Sequence, residues 1–173
     1  SVDNLPPEKL IESNVHFVGA HTLETDDGER IQAKKIIIAT GSRPIIPAAW
    51  QKFSDRILTT DDLFEQETLP DSLAVIGLGV IGLELGQALH RMGVKVTGID
   101  QLSRVGGIAD DDINAMVIEI IGKEMPLWLG HAAEITEIEN GKLQINAGEN
   151  SVEVDKILAS MGRRPNTDKL NLE

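Results

Sequence analysis

The chain has 173 residues, room for one domain of ordinary size or one domain with pieces of a second. Its 41% apolar and 25% charged composition belongs to chains that fold, while a net charge of -12 opposes the phosphates of nucleic acid or an anionic membrane surface. With no cysteine, these residues form no disulfide, reactive thiol or thiolate metal site.

The opening SVDNLPPEKL lacks a cationic region leading into an apolar one, so export is not indicated and cytoplasmic residence is the expectation. No apolar stretch approaches the roughly 20 residues of a bilayer crossing. The first residue is not Met, and the chain is expected to be processed, tagged or excised from something longer. Five aromatic residues (Phe17, Trp50, Phe53, Phe64 and Trp128) leave the interior to Ile, Leu, Val and Ala.

Val15 to Ala20 and Thr22 to Thr25 read as extended, Asp26-Asp27-Gly28 as a turn, and the chain then climbs through Ile31 into a strand at Lys35 to Ala39. Thr40-Gly41-Ser42-Arg43-Pro44 ends this small β-meander, and Pro44 and Pro47 favour an extended crossing with little room for helix. Thr60 or Asp61 is placed to cap a short helix through Phe64, and Pro70-Asp71-Ser72 punctuates the approach to a strand at Ala74-Val75-Ile76.

GLGVIG follows, then Ile81, Leu85, Ala88, Leu89 and Met92 recur at helical spacing until Gly93, a residue suited to end the helix. Val94 to Ile99 predicts a second strand finishing at Asp100. Asp110 to Asp112 offer a cap and an acidic first turn to a helix over Ile113 to Lys123, and Leu127 to Leu129 predicts a third strand. Ile135 to Glu139, Asn140-Gly141 and Leu143 to Asn146 predict a hairpin, because Asn-Gly supplies the positive φ angles of a type I′ turn. Val152 to Val154 extends it, and a last apolar strand, Ile157 to Ser160, runs into Gly162-Arg163-Arg164-Pro165.

The chain contains an internal echo. KKIIIATGSRP, from Lys34 to Pro44, and DKILASMGRRP, from Asp155 to Pro165, each carry Lys, a four-residue strand, one more residue, Gly, one residue and Arg-Pro. Both follow a meander. The second copy closes a unit that opens at Ala74 with its own glycine loop. A first unit is then expected to have its opening strand, glycine loop and helix upstream of Ser1; chance similarity of two strand exits is the alternative.

A G-x-G-x-x-G run is weak by itself, but here a strand precedes Gly77, Gly79 and Gly82, a helix follows, and an acid ends the next strand eighteen residues after Gly82. In a dinucleotide-binding βαβ unit Gly77 allows the tight turn, Gly79 admits backbone close to a diphosphate, and Gly82 lets helix and strand pack. The N–H groups and helix dipole at Val80 and Ile81 would hold that diphosphate. The Asp100 carboxylate can accept ribose hydroxyls at about 1.5–3 kcal/mol each, and would repel a 2′-phosphate by about 1 kcal/mol per unit charge even in bulk water. NAD is therefore expected over NADP. Arg104, if its loop curled back to a phosphate, is the competing feature, and a tight turn without a ligand remains the bland alternative. His16, His21, His90 and His131 lack ligand spacing, so no metal site is expected.

IIIATGSRP, VIGLGVIGLELGQALHRMGVKVTGID, RVGG and ILASMGRRPNTDKL, in that order, resemble the flavoprotein disulfide reductases (pyridine nucleotide-disulfide oxidoreductases), most closely the dihydrolipoamide dehydrogenases. The resemblance implies an α/β fold: a Rossmann-like NAD-binding domain with a parallel sheet and a β-meander crossover, plus small flanking β pieces of an FAD domain. It implies a partial FAD-domain meander over 1–43, an NAD-binding domain over 44–160 and a return segment over 161–173. Carried over by position, Thr40, Gly41 and Ser42 belong to the FAD surface. Gly77, Gly79, Val80, Ile81 and Gly82 hold the NAD diphosphate, Glu84 faces the meeting point of nicotinamide and flavin, Asp100 the adenosine ribose, Ala133 the adenine and Gly162 the nicotinamide end. The family's redox cysteine pair, first glycine loop, later Gly-Asp flavin motif and His-Glu base have no counterpart in these residues, so no catalytic residue is assigned and the isolated chain is expected to be inactive. The implied partners are NAD(H) and the remainder of a homodimeric enzyme. A stand-alone NAD-sensing module, or a mercuric, glutathione or transhydrogenase relative, is the alternative.

Overall fold

The computed structural model describes residue 6 and residues 9–139 and 141–172. The chain divides into two compact units, one of residues 1–43 with 165–173 and one of residues 44–164.

The first unit is built on an antiparallel meander of β1 (Val15–Gly19), β2 (Thr22–Thr25) and β3 (Arg30–Gln32). Phe17 pairs with Leu23 and Leu23 with Ile31, so the apolar positions share one register. The Asp26-Asp27-Gly28 turn forms as expected, held by the buried Thr25 hydroxyl, which donates to Asp27 Oδ1 at 2.5 Å and accepts the Glu29 amide at 2.9 Å. The strand expected at Lys35 to Ala39 does not form. That segment pairs with no strand among the described residues, and Ile37 is 90% exposed, because strand composition without a neighbouring edge leaves its backbone groups to water. The four-residue strand of the echo therefore forms only in its second copy, whereas the Arg-Pro end of each copy is a short strand.

β4 (Ser42–Pro44) carries the chain into the second unit. The extended crossing expected after Pro47 is instead 3-10 helical over Ala48–Arg56, with a non-helical kink at Phe53, followed by a two-residue strand, β5 (Ile57–Leu58). The short helix expected after Thr60 or Asp61 is a single 3-10 turn, Leu63–Glu65. Its N-cap is Asp62 rather than Thr60 or Asp61 and caps with no side-chain bond, because the Asp62 Oδ2 instead accepts the Thr59 N–H and hydroxyl, at 3.0 and 2.6 Å.

Then come β6 (Ser72–Ile76), α1 (Val80–Arg91), β7 (Lys95–Asp100), α2 (Asp111–Gly122) and β8 (Leu127–Leu129). The meander of β9 (Glu134–Glu137), β10 (Leu143–Ala147) and β11 (Asn150–Val154) leads to β12 (Lys156–Ala159), and β13 (Arg163–Pro165) takes the chain out of the unit. The sheet runs β5-β12-β6-β7-β8 with every neighbouring pair parallel. The β9–β10 hairpin is antiparallel as expected, although Asn140 of its predicted turn lies outside the described residues.

Alternation along β6 explains the layers. Leu73 and Val75 join Leu89, Val94, Val96, Ile121 and Met125 on the helix side. Ala74 and Ile76 join Leu143, Ile145, Val154 and Ile157 on the meander side. A strand covered on both faces must be apolar throughout, which is why β6 reads as an unbroken run. Leu73, Ile99, Leu143, Ile145, Ile157 and Leu158 have no exposed surface, and each such side chain contributes about 1.5–3 kcal/mol on burial.

α1 ends as the sequence indicates: Gly93 takes φ +99°, its N–H donates to His90 O, and the Val94 N–H donates to Leu89 O. Its buried stripe differs from the expected one. Gly82, Gly86 and Leu89 face inward, whereas Ile81 and Met92 are 46% and 68% exposed, because the two glycines let the helix close on the layer beneath through backbone. α2 starts on Asp110, whose carboxylate accepts the Ile113 amide at 3.0 Å.

Candidate functional site

The carboxyl ends of β6, β7 and β12 open into one cleft of about 670 Å³ within the second unit. β6 lies between β7 on one side and β12 on the other, so the chain leaves it in one direction and returns on the other. A crevice at such a switch point is where open α/β sheets take ligands.

Gly77, Gly79, Val80, Ile81, Asp100, Ala133 and Gly162 all line this cleft, although they come from four separate stretches of chain. The remaining two residues expected there stand elsewhere. Gly82 is buried behind the loop, and Glu84 is exposed on the second turn of α1 and does not line the cleft. Thr40, Gly41 and Ser42 belong to the first unit, where Asn166 fixes them: its side chain donates to Thr40 O at 3.1 Å and its N–H to Gly41 O at 3.0 Å. Arg43 in turn donates to Asn166 Oδ1 at 2.9 Å and pairs with Asp168.

The three glycines of the loop do different work. Gly77 has φ +96°, and a methyl group there would lie 2.5 Å from Ser160 O. At Gly82 a methyl would meet Gly77 O at 1.9 Å, so the third glycine admits the loop's own backbone rather than the strand expected from sequence. At Gly79 a methyl would find no atom within 4 Å, which leaves open space on the wall of the cleft. Gly79 is also the cap of α1. The helix has no side-chain cap and no acid in its first turn, so its amino end presents bare N–H groups and an uncompensated dipole.

Asp100 is 9% exposed. Its Oδ2 accepts the Leu78 N–H at 2.6 Å and its Oδ1 the Leu102 N–H at 2.9 Å. A carboxylate offers about four acceptor sites, so two such bonds fix it while leaving capacity for hydroxyl donors in the cleft. Gly77 N–H donates to Ile99 O and Gly106 N–H to Leu78 O, which locks the loop on the end of β7. Arg104 is committed elsewhere: it donates to Ile108 O and Ala109 O and pairs with Asp111, and it does not line the cleft.

Sequence reasoning missed Trp50, Thr60, Ser160, Met161 and Arg163 on the cleft wall. Ser160 and Met161 carried a signal, since they end a strand next to β6. Trp50 carried none. Arg163 donates to Asp61 Oδ1 and Oδ2 at 2.9 and 3.2 Å and to the Thr60 hydroxyl at 3.1 Å. The guanidinium holds the Asp61 carboxyl below its ordinary value, and Asp61 raises Arg163 in return. No group of His, Cys, Asp and Glu among the described residues could hold a metal ion, and no helix among them is long and apolar enough to cross a membrane.

The family profile described as pyridine nucleotide-disulphide oxidoreductase matches residues 8–173. A mercuric reductase of Staphylococcus aureus is 33% identical over 170 residues, covering 95% of this chain and 31% of the relative. A dihydrolipoyl dehydrogenase of Geobacillus stearothermophilus is 34% identical over 175 residues, covering 95% and 37%. The chain thus spans about a third of the length of the curated relatives it matches. Among solved structures, the HOCl-induced flavoprotein disulfide reductase RclA of Escherichia coli superposes with a TM-score of 0.74 at 26% identity, over 92% of this chain and 37% of that one. A water-forming NADH oxidase of Lactobacillus brevis, solved with NADH, gives 0.68 at 32% identity over 85% and 35%. An engineered form of that oxidase, solved with NADPH, gives 0.67 at 31% identity over 85% and 35%. Its five substitutions include a Gly→Ala and, 18 positions later, a run of Asp→Ala, Ala→Arg and Met→Ser.

Proposed function

The chain belongs to the pyridine nucleotide-disulphide oxidoreductase family, and from that premise we propose that the cleft of its second unit binds NAD(H) for hydride exchange with FAD in a longer flavoprotein. The carrying observation is the pairing of an uncapped α1 amino end, open at Gly79, with the anchored Asp100 carboxylate on the same cleft. In this reading the N–H groups at Gly79, Val80 and Ile81 hold the diphosphate, Asp100 accepts the adenosine ribose, Ala133 lies against the adenine, and Gly162 lies toward the nicotinamide. Gly82 acts from behind by closing the loop, and Glu84, exposed on α1 outside the cleft lining, would face the meeting point of nicotinamide and flavin. Thr40, Gly41 and Ser42 contribute to an FAD surface on the first unit.

The dinucleotide supplies hydride chemistry when bound; these residues bind, orient and select. Preference for NAD over NADP rests on Asp100, whose charge opposes a 2′-phosphate, with Arg104 turned to Asp111. The engineered oxidase supports the same reading. Its Gly and Asp substitutions have the eighteen-residue spacing of Gly82 and Asp100, and that protein is described as an NADPH oxidase. The longer enzyme would pass electrons to or from a cysteine pair, as in the dihydrolipoyl dehydrogenases, working as a homodimer in the cytoplasm.

Calorimetric titration of the chain with NADH and NADPH tests the assignment. Binding of NADH at least tenfold tighter is expected, and tighter binding of NADPH removes Asp100 from its role. Absence of binding to both rejects the assignment.

A further inference from the structure

His131 has no place in the nucleotide reading so far, yet its position in the second unit is specific. A methyl group on Gly148 would lie 2.8 Å from His131 Cδ2 and Nε2 and 2.9 Å from Cγ. Three ring atoms at nearly equal distances mean that the imidazole lies face-on against the Gly148 backbone. Gly148 occupies the two-residue turn between β10 and β11, closed by the Ala147 and Asn150 pair, with φ +60°. That turn is a firm support, because Leu143, Ile145, Ala147 and Val154 of the same hairpin are almost wholly buried on the sheet.

On the other side, His131 belongs to the stretch Gly130-His131-Ala132-Ala133, in which Ala132 and Ala133 line the cleft. The stretch links β8 to β9, and its Ala133 packs against the meander-side core. Its backbone is tied to the end of β7 by Gly130 N–H to Leu102 O at 3.2 Å and His131 N–H to Asp100 O at 3.3 Å, both at the long end of the range. The other side chains are hydrogen or methyl. The imidazole is thus the one large side chain of the stretch, two residues before the Ala133 core contact.

We propose that His131 is a positioning residue: stacked on the β10–β11 turn, its ring clamps residues 130–133 against the end of β7 and so sets the adenosine wall of the cleft. The β-meander then has a part in binding as well as in covering the sheet. This rests on the nucleotide reading above for the identity of the ligand, but the clamp itself is a property of the free chain.

The test uses the 173-residue chain as wild type, His131→Ala and His131→Phe, with Gly148→Ala as a second way to displace the ring. Amide hydrogen exchange at residues 130 and 131 and ADP-ribose titration are measured on each. His131→Ala is expected to speed exchange at those two amides while leaving β6 and β7 amides unchanged, and to weaken ADP-ribose about tenfold. His131→Phe, which keeps a flat ring, should restore both; Gly148→Ala should imitate the alanine variant. Unchanged exchange in His131→Ala overturns the clamp. Faster exchange with unaltered ADP-ribose affinity overturns its role in binding, as does equal acceleration throughout the sheet, which marks general destabilisation. If the wild-type chain fails to bind ADP-ribose, the nucleotide reading falls and the positioning role with it, whereas the exchange result still decides whether the ring is an anchor.

Discussion

The Asp100 carboxylate accepts the Leu78 amide at 2.6 Å across 22 residues of sequence. One side chain therefore serves two structures: it ends β7 on the cleft wall, and it holds the middle of the loop between β6 and α1. Leu78 has no exposed surface, so no water can replace that acceptor without local opening. In the proposed site, selection of the nucleotide and the shape of the glycine loop would be coupled through this single residue.

Asp100→Ala is predicted to lower stability as well as NADH affinity. The stranded Leu78 N–H costs about 1–3 kcal/mol, measurable by urea denaturation at pH 7. Combining it with Gln101→Arg and Leu102→Ser should reverse the nucleotide preference, giving tighter binding of NADPH than of NADH. That combined variant should carry the same stability deficit, since neither added substitution supplies an acceptor to Leu78.

Two glycine substitutions should separate folding from binding. Gly82→Ala drives a methyl to within 1.9 Å of Gly77 O and should destabilise the second unit by more than about 2 kcal/mol. Gly79→Ala meets nothing within 4 Å and has an ordinary φ of -62°, so thermal unfolding should match wild type within about 0.5 kcal/mol. Its affinity for ADP-ribose should nevertheless fall about tenfold, because the methyl occupies the space through which the diphosphate would approach.

Acid should weaken the start of the central strand. The Ser72 hydroxyl and N–H donate to Asp155 Oδ2 at 2.5 and 2.9 Å, and Lys142 lies 3.2 Å from Oδ1. The Ser72 hydroxyl, first, and then Lys142 and the Ser72 amide hold the Asp155 carboxyl below its ordinary value of 3.8. A group depressed in the folded state stabilises above its unfolded pKa and loses that contribution as pH falls through the folded one. Asp155→Asn should thus cost about 1 kcal/mol at pH 6, and the gap to wild type should close below about pH 4 in parallel denaturation series.

The cap of α2 offers a simpler measurement. Replacing Asp110 with Ala removes the acceptor of the Ile113 amide and should cost about 1 kcal/mol, with no change in nucleotide affinity, since Asp110 does not line the cleft.

β6 was legible because burial on both faces leaves an apolar run, β7, β8 and β12 because short apolar stretches lie between Pro, Gly and Asp punctuation, and α1 because apolar residues at helical spacing run up to Gly93. The glycine loop and Asp100 were legible because their spacing is local. β5 was not, since two residues have no period and become a strand only by pairing with β12, a hundred residues away. Trp50 and Thr60, which flank β5, reach the cleft through that same long-range parallel pairing, which no local pattern encodes. Lys35 to Ala39 failed in the opposite sense: its composition announces a strand, but strand formation belongs to a pair of segments and not to one.

The most direct test of the proposed site is a map of amide chemical-shift changes as NAD+ is titrated into the chain. The account predicts that the largest changes fall on Gly79, Val80, Ile81 and Gly82 at the start of α1 and on Leu102 beside the Asp100 carboxylate. A saturable titration that leaves those five amides in place while moving others would contradict it.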